Sequence, residues 1–219
     1  VTPDNVKTYW LSETAGVLDV QGVTTLDTQR RIWGLAEHFR SLASVREVVP
    51  AMNNLTVELR PTAPDLDGLL DLLLERWKDS TPVERSSHRI EIPVEYGGAA
   101  GPDLDEVSRH TGLSPSEVVQ MHCSAEYTVY FLGFLPGFAY LGGLDPRLAT
   151  PRRREPRFAV PAGSVGIGGE QTGVYPSSSP GGWQLIGRTS LQLFNPAWNS
   201  PTLLSAGDVV RFVNAGEPF

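Results

Sequence analysis

The chain has 219 residues, enough for one large domain or two small ones. With 40% hydrophobic and 20% charged residues it reads as an ordinary globular protein. Its formal charge of -7 argues against binding nucleic acid or a membrane surface, both of which call for a basic excess. No run of about 18 apolar residues occurs, so no membrane-spanning helix is expected. The opening residues 1–9 lack a basic-then-apolar signal pattern. Cys123 is the single cysteine, so no intrachain disulfide can form, and a cytoplasmic setting is the simplest expectation.

The first 85 or so residues alternate strands with helices. Val6–Leu11 and Val17–Val20 read as short strands around a turn. Thr24 with Asp27 has the form of a capping box, and Ile32, Leu35, Ala36, Phe39 and Leu42 follow at helical spacing. Val45–Val49 and Leu55–Leu59 read as strands; Leu55, Val57 and Leu59 alternate, so one face should be buried. Asp65 is placed to cap a second helix carrying Leu66, Leu69, Leu70, Leu73 and Trp77. Two helices among about four strands predict a small α+β domain of ferredoxin-like type over residues 1–85. The polar stretch 79–87, with Pro82 inside it, is the expected boundary.

Residues 86–219 have a different pattern. Ile90, Ile92 and Val94 alternate as an opening strand. A helix from Leu104 to His110 should stop at Gly112, a suitable residue for a left-handed helix terminus. Ser114, Pro115 and Glu117 supply an N-cap, an N1 proline and an N3 glutamate for the next helix, running through His122. Thereafter strands are expected at 127–135, 158–160, 164–167, 183–186, 191–194 and 209–213, a spacing that suits a mainly-β barrel or sandwich.

Twelve of the 22 glycines lie between Gly133 and Gly187, yet large aromatics sit at the turns of this stretch. A disordered linker would lack such apolar mass, so the segment reads as the working surface. Only Lys7 and Lys78 are present, both in the first part of the chain. There is therefore no P-loop sequence and no Schiff-base lysine in the glycine-rich region. The histidines at 38, 88, 110 and 122 have no metal-ligand spacing, and no metal site is expected. Cys123 reads better as a small buried hydrophobe than as a nucleophile.

Several long motifs occur in one order: Gly133-Phe134-Leu135-Pro136-Gly137-Phe138-Ala139-Tyr140-Leu141, Pro151-Arg152, Val160-Pro161-Ala162-Gly163-Ser164-Val165, Gln171-Thr172-Gly173-Val174-Tyr175-Pro176, Pro180-Gly181-Gly182-Trp183-Gln184-Leu185-Ile186-Gly187-Arg188-Thr189 and Gly207-Asp208-Val209-Val210-Arg211-Phe212. Together they resemble the family of KipI-type kinase inhibitors, allophanate hydrolase subunit 1 and the B-type subunit (PxpB) of bacterial ATP-dependent 5-oxoprolinase. The match is close over about residues 88–214 and looser before them, where Ser12-Glu13-Thr14-Ala15-Gly16 stands in place of the family's Gly-Asp turn.

The resemblance implies a cyclophilin-like barrel for the second domain. It also implies cleavage of 5-oxoproline, a small cyclic amide, to glutamate coupled to ATP hydrolysis. The partners it implies are an A-type subunit and a C-type subunit (allophanate hydrolase subunit 2, KipA-like). ATP would be handled by the assembly, since this chain has no P-loop.

The residues can support part of that chemistry. A lactam is a poor electrophile, and ATP coupling would phosphorylate its oxygen; the site then needs a carboxylate clamp and shielding from water. Arg152, Arg153, Arg154 and Arg157 are the one strong basic cluster, and guanidinium pairs bidentately with carboxylate or phosphate. A solvated loop is the alternative reading, above all for Arg153 and Arg154. Phe134, Pro136, Gly137 and Phe138 read either as a cleft wall or as a barrel corner. Gly181 and Gly182 let backbone approach a ligand, beside Tyr175 and Trp183. A lone histidine is more often structural, but His122 with Tyr130 and Glu126 close behind it could form an acid–base site.

The expected catalytic residues are thus His122, Tyr130 and Arg152. The expected substrate contacts are Phe134, Pro136, Gly137, Phe138, Arg157, Ser164, Gln171, Tyr175, Gly181, Gly182, Trp183 and Arg188. Inhibition of a sensor histidine kinase and hydrolysis of another amide or urea derivative are the competing functions.

Overall fold

A computed structural model describes residues 5–63, 68–85 and 87–216. Contacts divide the chain into two compact units, Val1–Arg85 and Ser86–Phe219.

The first unit is built from β1 (Val6–Trp10), β2 (Ala15–Val20), α1 (Leu26–Arg40), β3 (Val45–Ala51), β4 (Asn54–Leu59) and α2 (Leu69–Asp79). Its four strands form one antiparallel sheet in the order β1-β2-β4-β3. β4 alternates as expected, with Leu55, Val57 and Leu59 buried against Ile32 and Phe39 of α1 and Leu73 of α2. The helix start shifts by one residue from the sequence reading. Thr25, not Thr24, is the N-cap, and its hydroxyl accepts from Thr28 N–H at 3.1 Å. Asp65 and Leu66 fall outside the described residues. α2 starts after Gly68 with no side-chain cap, and its far end is held by Arg31, which lies 3.8 Å above the Trp77 ring and donates to Trp77 O.

The second unit opens with β5 (Arg89–Tyr96), α3 (Leu104–Thr111) and α4 (Pro115–Ser124). Both helix signals hold: Gly112 is left-handed at φ 73, and Ser114 and Glu117 form a reciprocal capping box. Then follow β6 (Tyr127–Leu132), β7 (Ala139–Gly142), β8 (Arg157–Val160), β9 (Ser164–Gly168), β10 (Gln171–Val174), β11 (Ser179–Gly181), β12 (Gln184–Arg188) and β13 (Val209–Asn214). Seven of these strands close a barrel in the order β10-β7-β6-β13-β5-β12-β9, while β11 pairs with β8 as a separate ribbon. Its core holds Ile92, Val94, Val129, Ile167, Ile186, Val210 and Phe212.

The sequence reading missed β7, β10 and β11, which have three or four residues each and carry glycine or proline, poor strand formers. The expected strand at 191–194 is irregular, with only a single bridge from Phe194 to Thr202.

Candidate functional site

The connection from β6 to β7 is the glycine-rich turn that the sequence marks. It closes through Gly133 N–H to Phe138 O at 3.1 Å and Phe138 N–H to Leu135 O at 3.0 Å. Phe134 sits at its tip with φ 65, a left-handed conformation that is costly for a large side chain. The residue is 59% exposed, and its ring stands edge-on to Phe138 at 5.5 Å and to Tyr175 at 6.4 Å.

Below Phe134 lies an aromatic cluster distinct from the barrel core. Phe138, Tyr175 and Trp183 are buried together with Val160 and Leu185. Phe138 is 5.4 Å from both Trp183 and Tyr175, with rings near perpendicular, the favoured quadrupole arrangement. Tyr140 completes the wall, 5.0 Å from Phe138, and stacks its other side on Phe131 at 4.4 Å. These rings line a cleft of about 270 Å³, closed by Arg152, Pro156, Pro180, Gly181 and Gly182. At Gly181 a β-carbon would meet the Tyr175 hydroxyl at 2.6 Å, so only glycine lets the β11 backbone pass over that ring.

One charge enters this apolar cleft. The Arg152 guanidinium lies 5.9 Å from the Trp183 ring centre, within cation–π reach. Burial raises the Tyr140 phenol above its ordinary pKa, and the Arg152 charge opposes that rise. Tyr175 is likewise raised by burial, opposed by a hydrogen bond from the Trp183 backbone and then by Arg152. Arg152 also borders a second cleft, of about 790 Å³, lined by polar groups of α3 and of the arginine segment, including Asp105, Glu106, Arg109 and Arg154.

The expected catalytic pair is placed elsewhere. His122 is fully buried in the barrel and stacked on Phe212 at 4.4 Å. Its Nδ1 is 2.7 Å from the Tyr96 hydroxyl and its Nε2 is 2.9 Å from Thr172 Oγ1. Thr172 donates to Gly166 O at 3.0 Å, so its oxygen accepts from Nε2–H and Nδ1 accepts from Tyr96. Burial pushes the His122 pKa down to about 3. Both nitrogens are thus engaged inside the core, out of reach of a substrate. Tyr130 is the bulged residue where the β6–β7 register shifts, and its buried ring lies over Gly142, not in the aromatic cleft. A one-residue bulge of this kind re-aims a side chain, and alternation alone does not reveal it.

The Carboxyltransferase domain, subdomain C and D family model matches residues 6–204. The chain belongs to that family. It is 56% identical over 206 residues to the B-type subunit of 5-oxoprolinase from Escherichia coli O157:H7, covering 94% of both chains. It is 47% identical to the B-type subunit of 5-oxoprolinase from Haemophilus influenzae, covering 94% of this chain and 96% of that one. Among solved structures, TTHA0988 superposes with a TM-score of 0.77 at 36% identity; the match covers 97% of this chain and 40% of TTHA0988.

Within this carboxyltransferase-family chain, the cleft brings together Phe134, Phe138, Arg152, Tyr175, Gly181, Gly182 and Trp183 of the expected residues. Pro136 is exposed on the turn, and Gly137 is buried at φ 82 beside Leu193 and Phe194. Ser164 is buried in β9, Gln171 opens β10, and Arg188 donates to Ala162 O at 3.0 Å; none of the three lines the cleft. Arg157 turns away to Asp103, whose Oδ1 it meets at 2.7 Å.

Asp103 and Tyr140 were not among the expected site residues. Tyr140 lies inside the glycine-rich motif 133–141 and was legible there. Asp103 precedes a helix, where an aspartate reads as an ordinary cap, and nothing in the sequence pairs it with arginines about 50 residues later. Among the described residues no cluster of three or more histidine, cysteine, aspartate or glutamate side chains is placed to hold a metal ion.

Proposed function

We propose that this chain is the B-type subunit of an ATP-dependent 5-oxoprolinase, acting with A-type and C-type (KipA-like) subunits to convert 5-oxo-L-proline to L-glutamate. The observation that carries the reading is the 56% identity, over 94% of both chains, to a protein named as the B-type subunit of 5-oxoprolinase. The cleft supports it chemically. A five-membered lactam is small and flat, with apolar ring carbons and one carboxylate. Aromatic walls suit the ring, and Arg152 at the rim suits the carboxylate.

In the assembly, transfer of the terminal phosphoryl group of ATP to the lactam oxygen releases ADP. Water then adds to the ring carbon, the C–N bond opens with the nitrogen taking a proton, and a second water hydrolyses the resulting acyl phosphate to glutamate and phosphate. ATP is assigned to the assembly, since this chain has no P-loop lysine. This chain's part is to bind and orient the lactam and to keep bulk water from it. Phe134, Phe138, Tyr140, Tyr175 and Trp183 form the walls, Gly181 and Gly182 the close-approach edge, and Arg152 the clamp. His122 and Tyr130 are core residues of the barrel in this reading.

The decisive experiment mixes this chain with its A-type and C-type partners and measures 5-oxoproline-dependent release of ADP and glutamate, omitting each chain in turn. Activity that disappears without this chain is the expected result. No turnover from a well-formed complex would sink the assigned substrate.

The first unit fits a ferredoxin-like sandwich over residues 1–85 with one edge strand moved to the front. Its order, β1-β2-β4-β3 with helices after β2 and β4, is what results when the last strand of a βαββαβ unit becomes the first. The closed barrel supports a cyclophilin-like assignment for residues 86–219. A cytoplasmic location belongs to the same proposal; no helix among the described residues is long and apolar enough to cross a membrane.

A further inference from the structure

Asp103 occupies the N-cap position of α3 but makes no capping hydrogen bond with its side chain. Aspartate is favoured at that position because its oxygen satisfies a free helix N–H. Here both oxygens are directed elsewhere. Oδ2 accepts from Leu185 N–H at 2.7 Å, and Oδ1 accepts from Arg157 at 2.7 Å and from Arg153 at 3.1 Å. The Asp103 backbone is fixed to the same strand, its N–H donating to Leu185 O at 2.8 Å. Asp103 is only 5% exposed, so the two guanidinium groups meet a carboxylate with little solvent around it, where charge-assisted bonds are strong.

Arg153 follows Arg152 directly in the chain, and Arg157 closes the same segment. That segment is fastened at two further points: Arg153 N–H donates to Gly182 O at 2.7 Å, and Gln184 Nε2 donates to Pro151 O at 3.0 Å. Both anchor points flank Trp183, over which Arg152 lies. The position of the Arg152 charge relative to the indole is therefore set by a short chain of bonds whose one anionic member is Asp103.

We propose that Asp103 is a positioning residue: it latches the arginine segment 151–157 to β12 and so fixes where Arg152 meets the substrate. A sacrificed cap at a buried ion pair is a local rule broken for a purpose elsewhere in the fold. The latch rests on the reading of the aromatic cleft as the substrate site, but its mechanical part can be tested without any substrate.

Two variants test it, Asp103→Asn and Arg153→Ala; the second removes a partly exposed side chain and leaves the barrel core untouched. Amide hydrogen exchange of the intact chain should quicken in segment 151–157 in both variants, with β5, β9 and β13 at wild-type rates. In the complete assembly, KM for 5-oxoproline should rise by about ten-fold or more, with kcat changed far less, as for a misplaced binding group. Wild-type exchange in the segment, or uniformly faster exchange across the barrel, would overturn the latch. A loosened segment with unchanged KM would overturn its role in substrate positioning. If the wild-type assembly does not turn over 5-oxoproline at all, the substrate reading fails, and the exchange measurement still decides whether Asp103 holds the segment.

Discussion

Gly168 lies directly against the indole of Trp183: a β-carbon there would sit 2.4 Å from both Cδ1 and Nε1. Gly168 ends β9, and Gly173 on the neighbouring β10 faces the same ring, 3.3 Å from Cζ3 by the same measure. The absence of a side chain at these two positions makes the bed on which the Trp183 indole rests. Substituting Gly168→Ala should push the indole out of place, cost about 1–3 kcal/mol as overpacking does, and impair substrate binding in the assembly. Chemical denaturation and KM, measured on one preparation, check both effects.

The cation at the cleft gives a prediction of a different kind. Arg152→Gln should raise KM for 5-oxoproline by about 10- to 100-fold, the loss typical of a hydrogen bond to a charged group. It should also move the phenols of Tyr140 and Tyr175 still higher, since the Arg152 charge opposes the rise that burial causes. An ultraviolet tyrosinate titration reads this shift without substrate. An unchanged KM would remove Arg152 from the binding role.

His122 predicts a pH dependence of stability. Its folded pKa, about 3, lies below the ordinary value of 6.5, so the unfolded chain binds the extra proton first as pH falls. Stability should therefore be intact above pH 6.5 and be lost progressively towards pH 3, by about 1.4 kcal/mol per pH unit for one proton. The upper part of this window, above the range where carboxylates titrate, isolates the histidine. Urea denaturation at several pH values should show this slope in the native chain. It should show a flatter one in His122→Gln, which starts from lower stability because Tyr96 and Thr172 lose their partner.

Tyr130 and Gly142 separate packing from catalysis. Tyr130→Phe should leave turnover of the assembly unchanged and cost about 1 kcal/mol at most. Gly142→Ala should destabilise far more, because a β-carbon there would lie 2.1 Å from the Tyr130 Cζ. A large loss of kcat in Tyr130→Phe without a change in thermal midpoint would return this tyrosine to the active site.

Much of the architecture was legible in the chain itself. Apolar alternation identified β4 and β5, and the Ser114–Glu117 box and Gly112 marked where α4 begins and α3 ends, because these signals act locally. The glycine-rich stretch singled out Phe134, Phe138, Tyr175 and Trp183, which line one cleft in the fold, but the sequence left a cleft wall and a barrel corner equally open for the first two. What could not be read depends on distant pairing. β10 is a strand only because β9 and β7 flank it, despite a glycine in its four residues. His122 has the same residue type and helix-end position as a catalytic base would. Its role is decided by Tyr96 and Thr172, which lie 26 and 50 residues away. Asp103 was hidden in the same way by its resemblance to a plain helix cap.

The barrel is sealed by its own ends. β13 pairs in parallel with β5, from Val209 opposite Arg89 to Asn214 opposite Val94, and antiparallel with β6 on its other side. The first strand of this unit to leave the ribosome gains β12 on one side but must wait for the last strand to be paired on the other. Until residues 209–214 are made, β5 and β6 present open edges in a sheet that has no other way to close. Loss of this one strand would not trim the molecule. It would leave a sheet with two unpaired edges, a form prone to join with copies of itself.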